Sequence, residues 1–301
     1  MLKLMTKKLI YLWFGISLAV IIPGVLALSF WGLKLGIDFV GGTLLEVRFN
    51  QPLQIEQVRG ALKEADLGDA QIQPEGQNSF LIRVKEITND QANAVMSKFA
   101  EKFGFTEKLR LETVGPTIST DLTRKAFISV IIASIFIVLY IAFAFRKVPK
   151  PVTSWRFGIC AVVALVHDVL VVTGIFAILG KFFNIEVDSM FVTAILTVIG
   201  FSVHDTIVVF DRIRENLITR RTESFEETAN ISVVQTLGRS LNTSLTVLFV
   251  LLALFLFGGK SIQTFVLALL IGITTGTYSS IFNATPLLIV WQKWVERRKN
   301  K

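Results

Sequence analysis

Five ionisable residues lie within or at the edge of long apolar stretches, where charged side chains are rare: His167, Asp168, His204, Asp205 and Arg239. A charged group at the centre of a membrane helix costs roughly 2.5 kcal/mol or more, so it persists only beside a partner or in a wet cavity. Carboxyl and imidazole groups bind and release protons, and a nearby guanidinium favours the ionised carboxylate. These residue types therefore predict a proton relay inside a membrane bundle.

Helical geometry constrains how these residues can meet. Neighbours on a helix are about 100° apart, so each His-Asp pair should diverge, with at least one member of each facing the interior. Asp205 lies about five residues, or roughly 7–8 Å, from the predicted cytoplasmic edge of its span. Arg239 begins the next span at that edge, and its side chain could reach Asp205. We therefore predict an Asp205–Arg239 pair in which movement of Arg239 switches the carboxyl group between charged and neutral forms.

Structural interpretations of the same residues stay open. Asp205 could be a static, paired carboxylate that fixes helix packing, and His167 could be a neutral imidazole bonded to a backbone carbonyl. A metal site shared by the two His-Asp pairs is a further alternative, although no third ligand motif accompanies them. We predict no catalytic residue, no cofactor and no enzymatic activity.

The elements that position these residues are membrane helices. The chain is 52% hydrophobic and 18% charged, with a mean hydropathy of +0.61, which is typical of membrane proteins. Each of six apolar runs is long enough to cross a bilayer; they cover residues 9–31, 126–145, 157–179, 189–210, 238–257 and 264–290. The first run exceeds the roughly 7–15 apolar residues of a secretory signal, so we expect it to remain as an anchor.

Basic residues predict the orientation of these spans. With the N-terminus inside, the cytoplasmic segments hold sixteen Lys and Arg residues, whereas the two short outer loops hold only Lys181 and Lys260. The inner set is Lys3, Lys7, Lys8, Arg146, Lys147, Lys150, Arg156, Arg212, Arg214, Arg220, Arg221, Lys293, Arg297, Arg298, Lys299 and Lys301. The positive-inside rule thus places both termini in the cytoplasm. It also accounts for the net charge of +8 without a nucleic-acid partner.

Residues 32–122 form a separate extracytoplasmic domain in this interpretation, between a first part at 1–31 and five spans within 123–301. Alternating apolar residues predict strands at Thr43–Phe49, Phe80–Ile87 and Lys108–Val114, with a weaker strand near Gln71. Two stretches with helical spacing separate them, and the second has Thr88 or Asn89 as its N-cap and Gly104 as its C-cap. The β-α-β-β-α-β order indicates a small α+β, ferredoxin-like sandwich.

One cytoplasmic loop, from Asp211 to Ser240, is longer than the others. Its residues Phe225, Ala229 and Val233 share one helical face. We expect an amphipathic helix that lies along the membrane or packs under the bundle.

Several strings, taken together and in this order, are similar to the SecF family of protein-export membrane proteins. They are "GLKLGIDFVGGTLLEV" after the first span, "HDV" in the third, "DTIVVFDRIREN" at the end of the fourth, "TLGRSLNTS" opening the fifth, and "FLFGG". The resemblance covers nearly the whole chain.

This resemblance implies an RND-like half that pairs with SecD beside the SecYEG translocon in the bacterial inner membrane. The family is held to use proton flow to help draw an unfolded preprotein outward at a late stage of translocation. Its functional Asp and Arg match Asp205 and Arg239. The family usually has Asn before that Asp, whereas this chain has His204, which could join the relay or only donate a hydrogen bond.

Two other classes of function remain alternatives. RND-like helices also build proton-coupled exporters of small molecules or lipids, although an outer domain of about 90 residues leaves little room for a substrate cleft. A non-catalytic scaffold of a membrane complex would tolerate apolar residues in place of both Asp205 and Arg239.

Overall fold

The chain folds, in a computed structural model, into helices joined to one small sheet, and residues 2–76, 78–146, 152–219 and 224–299 are described. The helices are α1 (Lys7–Trp31), α2 (Ile37–Val40), α3 (Ile55–Lys63), α4 (Asn89–Phe103), α5 (Pro116–Ala144), α6 (Ser154–Phe183), α7 (Ser189–Thr219), α8 (Phe225–Phe257), α9 (Lys260–Ser279) and α10 (Thr285–Lys299). The strands are β1 (Gly42–Phe49), β2 (Gln71–Glu75), β3 (Ser79–Val84) and β4 (Thr106–Val114). A π-helical turn, Ser280–Ala284, joins α9 to α10.

The described residues confirm the predicted fold class, because they hold six candidate spans and a small α+β domain. Five spans are α1, α5, α6, α7 and α8, and the sixth runs from Lys260 to Arg298 through the π-helical turn. Two compact units result, one of residues 1–34 with 128–301 and one of residues 35–127.

The unit of residues 35–127 holds an antiparallel sheet in the order β2-β3-β1-β4. Along the chain, the elements follow in the order β1-α3-β2-β3-α4-β4, which is the predicted β-α-β-β-α-β order. The inward residues of the strands, such as Val47 and Ile82, pack with Val58 of α3 and Phe99 of α4 in one apolar core. The predicted caps of α4 are present, because Thr88 Oγ1 accepts a hydrogen bond from the Gln91 backbone N–H (3.3 Å) and Gly104 ends the helix.

The unit of residues 1–34 and 128–301, called the membrane unit below, has close helix crossings that depend on glycine. At the crossing of α1 and α6, a Cβ on Gly174 would lie 2.5 Å from the Gly24 Cα. At the crossing of α7 and α9, Gly276 faces Ser202, where a Cβ would lie 3.1 Å from the Ser202 Cβ. Small residues at such positions let helix backbones approach closely. The second crossing brings α7, which carries His204 and Asp205, against α9.

The predicted cytoplasmic loop is divided between two helices. Residues 211–219 continue α7, and Phe225 onward belongs to α8, one helix of 33 residues that also contains the predicted fifth span. The predicted apolar face is present, since Phe225, Ala229 and Val233 are all buried. The first turn is capped by Ser224, whose Oγ accepts a hydrogen bond from the Glu227 N–H (3.3 Å). Of the basic residues used for orientation, Lys147, Lys150, Arg220, Arg221 and Lys301 lie outside the described residues.

The last span is interrupted by the π-helical turn just before Pro286. Proline has no N–H for the carbonyl of Phe282, and such a lost bond is a common cause of local helix distortion. In the π-helical turn, Asn283 is directed towards α1, where Ser17 Oγ donates a hydrogen bond to Asn283 Oδ1 (2.7 Å). A polar contact between the first and last spans follows from this distortion.

Candidate functional site: the buried carboxyl groups of the membrane bundle

Asp205 lies on the buried face of α7 and is 6% exposed. One carboxyl oxygen, Oδ1, accepts a hydrogen bond from Ser240 Oγ of α8 (2.6 Å). The other oxygen, Oδ2, is buried and has no hydrogen-bond partner. Asp205 therefore links two spans through one oxygen and keeps the second available to a proton or a moving donor.

Arg239 does not form the predicted pair with Asp205 in this structure. Its side chain is exposed, although the adjacent Ser240 is buried and bonded to Asp205. Among the ion pairs of the described residues, none joins the Asp205 carboxylate to the Arg239 guanidinium. Consecutive residues of α8 point in different directions, so Ser240 holds the inward position and Arg239 the outward one.

His204 points away from the buried face of α7. Its side chain is exposed, whereas Asp205 is buried. This divergence is the one predicted from helical geometry. His204 thus lies on the outer surface of the bundle, about 100° around α7 from Asp205.

Asp168 and His167 behave differently, and the prediction that they diverge is wrong. Both are buried, with exposures of 1% and 9%, and His167 Nδ1 lies 3.0 Å from Asp168 Oδ1. The His167 imidazole thus contacts the carboxyl group of the next residue along α6. The other carboxyl oxygen of Asp168 accepts hydrogen bonds from Ser202 Oγ of α7 and from Ser279 Oγ of α9 (2.7 Å).

Asp168 therefore links α6 to α7 and α9. The adjacent His167 keeps one ring nitrogen without a hydrogen-bond partner. His167 Nε2 is buried and has no hydrogen-bond partner. Ser202 precedes Asp205 by three residues, which is about 4.5 Å along the helix axis. The hydrogen bonds of the two carboxyl groups consequently lie on neighbouring turns of α7.

Hydroxyl groups continue this polar layer across the bundle. Thr206 Oγ1 donates to Ser280 Oγ (3.0 Å), and Ser244 and Thr277 share a hydrogen bond of 2.5 Å between α8 and α9. Sequence reasoning did not predict these hydroxyl contacts, nor those of Ser240, Ser202 and Ser279. The available signal was a Ser or Thr within an apolar run, but most such residues bond only their own helix.

The structure does not gather the two His-Asp pairs into one site. His204 is exposed, and among the described residues no group of three or more His, Cys, Asp or Glu side chains is placed to share a metal ion. The alternative of a metal centre built from both pairs therefore has no geometric support in the described part of the chain.

A groove of about 370 Å³ lies between α7 and α8. Its polar lining comes from Asp211, Arg212, Glu215, Gln235, Thr236 and Arg239. Arg212 bridges the two helices, because its Nε donates to Gln235 Oε1 (2.6 Å) and its Nη1 to Glu215 Oε2 (2.6 Å). Charged groups thus begin within about two turns of the buried carboxyl group.

Family models match most of this chain. Residues 94–294 match "Protein export membrane protein SecD/SecF, C-terminal", and residues 27–53 match "SecD/SecF GG Motif". The second segment contains Gly41 and Gly42, which have φ angles of 75° and 123°. A Cβ on Gly42 would lie 2.7 Å from the Val84 carbonyl oxygen, so this position requires glycine.

Two relatives are similar over nearly their whole length. The "Protein translocase subunit SecF" of Thermobaculum terrenum is 52% identical, over 94% of this chain and 92% of the relative. That of Anaerolinea thermophila is 45% identical, over 97% of this chain and 94% of the relative.

Solved structures show the same likeness. A crystal structure of SecDF, a translocon-associated membrane protein from Thermus thermophilus, matches with a TM-score of 0.82 and 33% identity. The match covers 94% of this chain but only 38% of the chain in that structure. A structure of SecDF in a super-membrane-facing form matches with a TM-score of 0.67 and 33% identity.

Proposed function

The chain belongs to the SecF family of protein translocase subunits, and on that premise we propose that it uses the proton motive force to promote late stages of preprotein translocation. The observation that carries the proposal is the buried Asp205 carboxyl group, bonded to Ser240 through one oxygen and unpartnered at the other. A buried carboxyl group in a membrane span is by default a functional candidate.

Protonation of Asp205 would change how α7 and α8 interact. The carboxylate accepts from Ser240, whereas the protonated acid can also donate, so a rotated hydroxyl keeps the helices linked in both states. Protonation therefore leaves the hydrogen bond to Ser240 largely in place but removes the negative charge of Asp205. A carboxylate attracts the Arg239 guanidinium from the groove, and a neutral acid releases it. Proton binding and the position of Arg239 would thereby be coupled.

The remaining relay residues take different parts in this proposal. Asp168 and His167 form a second buried pair whose shared hydrogen bond can hold one proton on either partner. His204, on the outer face of α7, would meet a partner's groups rather than the Asp168 cluster. We assign Asp205 and Arg239 the central roles, because they flank the contact between α7 and α8.

The outer face of these helices supports a membrane partner. Arg239, Asn242 and Thr246 of α8 and His204 of α7 are all exposed within or at the edge of apolar spans. Lipid tails cannot bond such groups, so another spanning protein is expected to cover them. We propose SecD as that partner, since the similar Thermus protein is a SecDF, with SecYEG and an unfolded preprotein as the further partners.

The same proposal covers location and domains. We place the chain in the bacterial inner membrane with both termini in the cytoplasm. Residues 32–122 then form an extracytoplasmic domain that would hold the emerging preprotein, and residues 123–301 carry five of the six spans. No chemical reaction is required of any residue, only proton binding and helix movement.

The test is Asp205→Asn, which keeps the size and the bond to Ser240 but cannot ionise. We expect normal membrane assembly and loss of the proton-dependent part of preprotein export, measured in membrane vesicles with and without a proton gradient. Asp121→Asn is the matched control, because Asp121 is exposed and pairs with Lys125 (2.7 Å). Full proton-dependent export by Asp205→Asn would refute the relay.

A further inference from the structure

Arg156 lies in the first turn of α6 and is buried, with an exposure of 8%. Its Nη1 donates a hydrogen bond to Gln292 Oε1 of α10 (2.5 Å), and its Nε is buried without a hydrogen-bond partner. Gln292 is neutral, so this contact leaves the positive charge of the guanidinium uncompensated. A buried cation is stable only when an anion or several hydrogen-bond acceptors surround it. Arg156 therefore needs a further acceptor.

The acidic side chains described at this end of the bundle do not supply that acceptor. None of the ion pairs found in the part of the chain that the structure describes includes Arg156. Glu226 of α8 pairs with Lys293. Glu296 of α10 is exposed and accepts a hydrogen bond from the Gln292 amide (2.7 Å). The guanidinium of Arg156 is therefore open to an anion from outside the chain.

The sequence around the start of α6 adds positive charge only. Arg146, Lys147 and Lys150 stand between α5 and α6, and residues 145–167 contain no Asp or Glu. The N-cap of α6, Thr153, makes no side-chain hydrogen bond to the helix, and the helix dipole is positive at this end. A helix N-terminus beside a buried arginine favours a phosphate group, which accepts hydrogen bonds through several oxygens.

The surface beside Arg156 is apolar and exposed. Trp155, which is 54% exposed, begins a stripe along α6 that continues through Ile159 and Val163, which are 42% and 48% exposed. Trp155 also packs edge-on against Trp291 of α10, with ring centroids 4.9 Å apart. Indole rings at the ends of spans lie at the level of the lipid headgroups. A phospholipid fits both features, with its phosphate at Arg156 and its acyl chains along the stripe.

From these contacts we infer that Arg156 and the first turn of α6 form a binding site for the phosphate of an anionic phospholipid. The basic residues at this end favour a lipid with net negative charge over a zwitterionic one. The apolar stripe favours a lipid over free phosphate. A lipid bound here would strengthen the contact between α6 and α10, since Arg156 already bonds Gln292. This inference goes beyond the proposed function and does not depend on proton coupling at Asp205.

The experiment measures lipid binding to the full chain, purified in a neutral detergent and stripped of lipid. The probes are dioleoylphosphatidylglycerol, which is anionic, dioleoylphosphatidylcholine, which has the same acyl chains without net charge, and inorganic phosphate. Native mass spectrometry counts the bound lipids, and the rise in melting temperature with lipid concentration gives the apparent dissociation constant. Arg156→Gln removes the charge at the site, and Arg156→Lys keeps it. Arg297→Gln, at an exposed position of α10, is the matched control for loss of one basic residue.

We expect the wild-type chain to bind phosphatidylglycerol about fivefold or more tightly than phosphatidylcholine, the factor that one basic residue near an anionic lipid contributes. Arg156→Gln should abolish this preference, whereas Arg297→Gln and Arg156→Lys should keep most of it. Equal losses in Arg156→Gln and Arg297→Gln would show general attraction by basic residues and overturn the inference. The same holds if inorganic phosphate stabilises the chain as much as phosphatidylglycerol does, because the site would then take free phosphate.

A measurement on the wild-type chain decides the question if Arg156→Gln does not fold. Phosphatidylglycerol with brominated acyl chains should quench tryptophan fluorescence at about fivefold lower mole fraction than brominated phosphatidylcholine, because it gathers beside Trp155 and Trp291. Equal quenching by the two lipids would overturn the inference. Export by Asp205→Asn bears only on the proposed function, so the two proposals can fail separately.

Discussion

Asp168 shows how a single residue can order the interior of a membrane bundle. Its carboxyl group accepts hydrogen bonds from Ser202 of α7 and Ser279 of α9, and its other oxygen lies 3.0 Å from His167 Nδ1 of α6. With an exposure of 1%, it has no water to replace these donors. Loss of the carboxyl group would remove the partner of the buried Ser202 hydroxyl and of His167 Nδ1, whereas the Ser279 hydroxyl keeps the Gly276 carbonyl (3.1 Å). Each group left unmet destabilises the fold.

We predict that Asp168→Ala lowers the stability of the membrane unit by about 1–3 kcal/mol. Thermal denaturation in detergent, followed by size-exclusion chromatography, measures the change. Asp168→Asn should lose less, because its amide oxygen still accepts hydrogen bonds. The exposed Asp121→Ala serves as the control, and equal stability of Asp168→Ala and Asp121→Ala would show that the cluster contributes nothing.

At this scale, sequence reasoning finds buried ionisable residues more readily than it finds their hydrogen-bond partners. An ionisable residue in an apolar run is conspicuous, so Asp168 and Asp205 could be selected. Their donors could not, because Ser202, Ser240 and Ser279 resemble many other hydroxyl residues in the spans. The pairing of Asp205 with Ser240 rather than Arg239 depends on a one-residue rotation of α8, which helical spacing alone leaves open.

Helix crossings are the features that matter at the scale of elements. Gly24 and Gly174 allow α1 and α6 to approach until a Cβ on Gly174 would lie 2.5 Å from the Gly24 Cα. Backbone atoms cannot move aside as a flexible side chain can. The crossing therefore depends on the absence of a side chain at this position.

Gly174→Ala is expected to destabilise the bundle by about 1–3 kcal/mol through overpacking. Gly15→Ala, in α1, is the matched control, since a Cβ there would meet nothing within 4 Å. That change should be neutral or slightly stabilising, because alanine favours helix more than glycine. Melting of both variants in detergent tests the difference, and an unchanged melting temperature for Gly174→Ala would contradict the crossing.

Element types were more predictable than element ends. Hydropathy identified all six spans, because a bilayer requires about 20 consecutive apolar residues. Hydropathy could not show that α8 is continuous from Phe225 to Phe257. A helix that leaves the membrane becomes more polar in sequence, but its backbone stays helical. The π-helical turn was also missed, although Pro286 was a signal of local distortion.

At the scale of the whole molecule, the six candidate spans of the described residues would place residues 2 and 299 on the same side of a membrane. The charge distribution predicts that this side is the cytoplasm. The unit of residues 35–127 should then face outward, because it follows one span. Glu101 of α4 and Arg297 of α10 are exposed, so each can report its side.

Cysteines placed at these positions, in the Cys160→Ala background, test the orientation. In intact cells, an impermeant maleimide should label Glu101→Cys and not Arg297→Cys, and both should react once the membrane is permeabilised. Labelling of Arg297→Cys in intact cells would reverse the predicted topology.

Helix α8 has a practical consequence for handling this protein. Near its start, Asn230 Oδ1 accepts hydrogen bonds from the backbone N–H groups of Leu4 (2.8 Å) and Met5 (3.0 Å). Ten residues, or about 15 Å, further along the same unbroken helix is Ser240, which bonds Asp205. A protein fused before residue 2 that breaks the hydrogen bonds of Leu4 and Met5 to Asn230 would disturb α8, the helix whose Ser240 bonds Asp205. Affinity tags and fluorescent reporters therefore belong after α10.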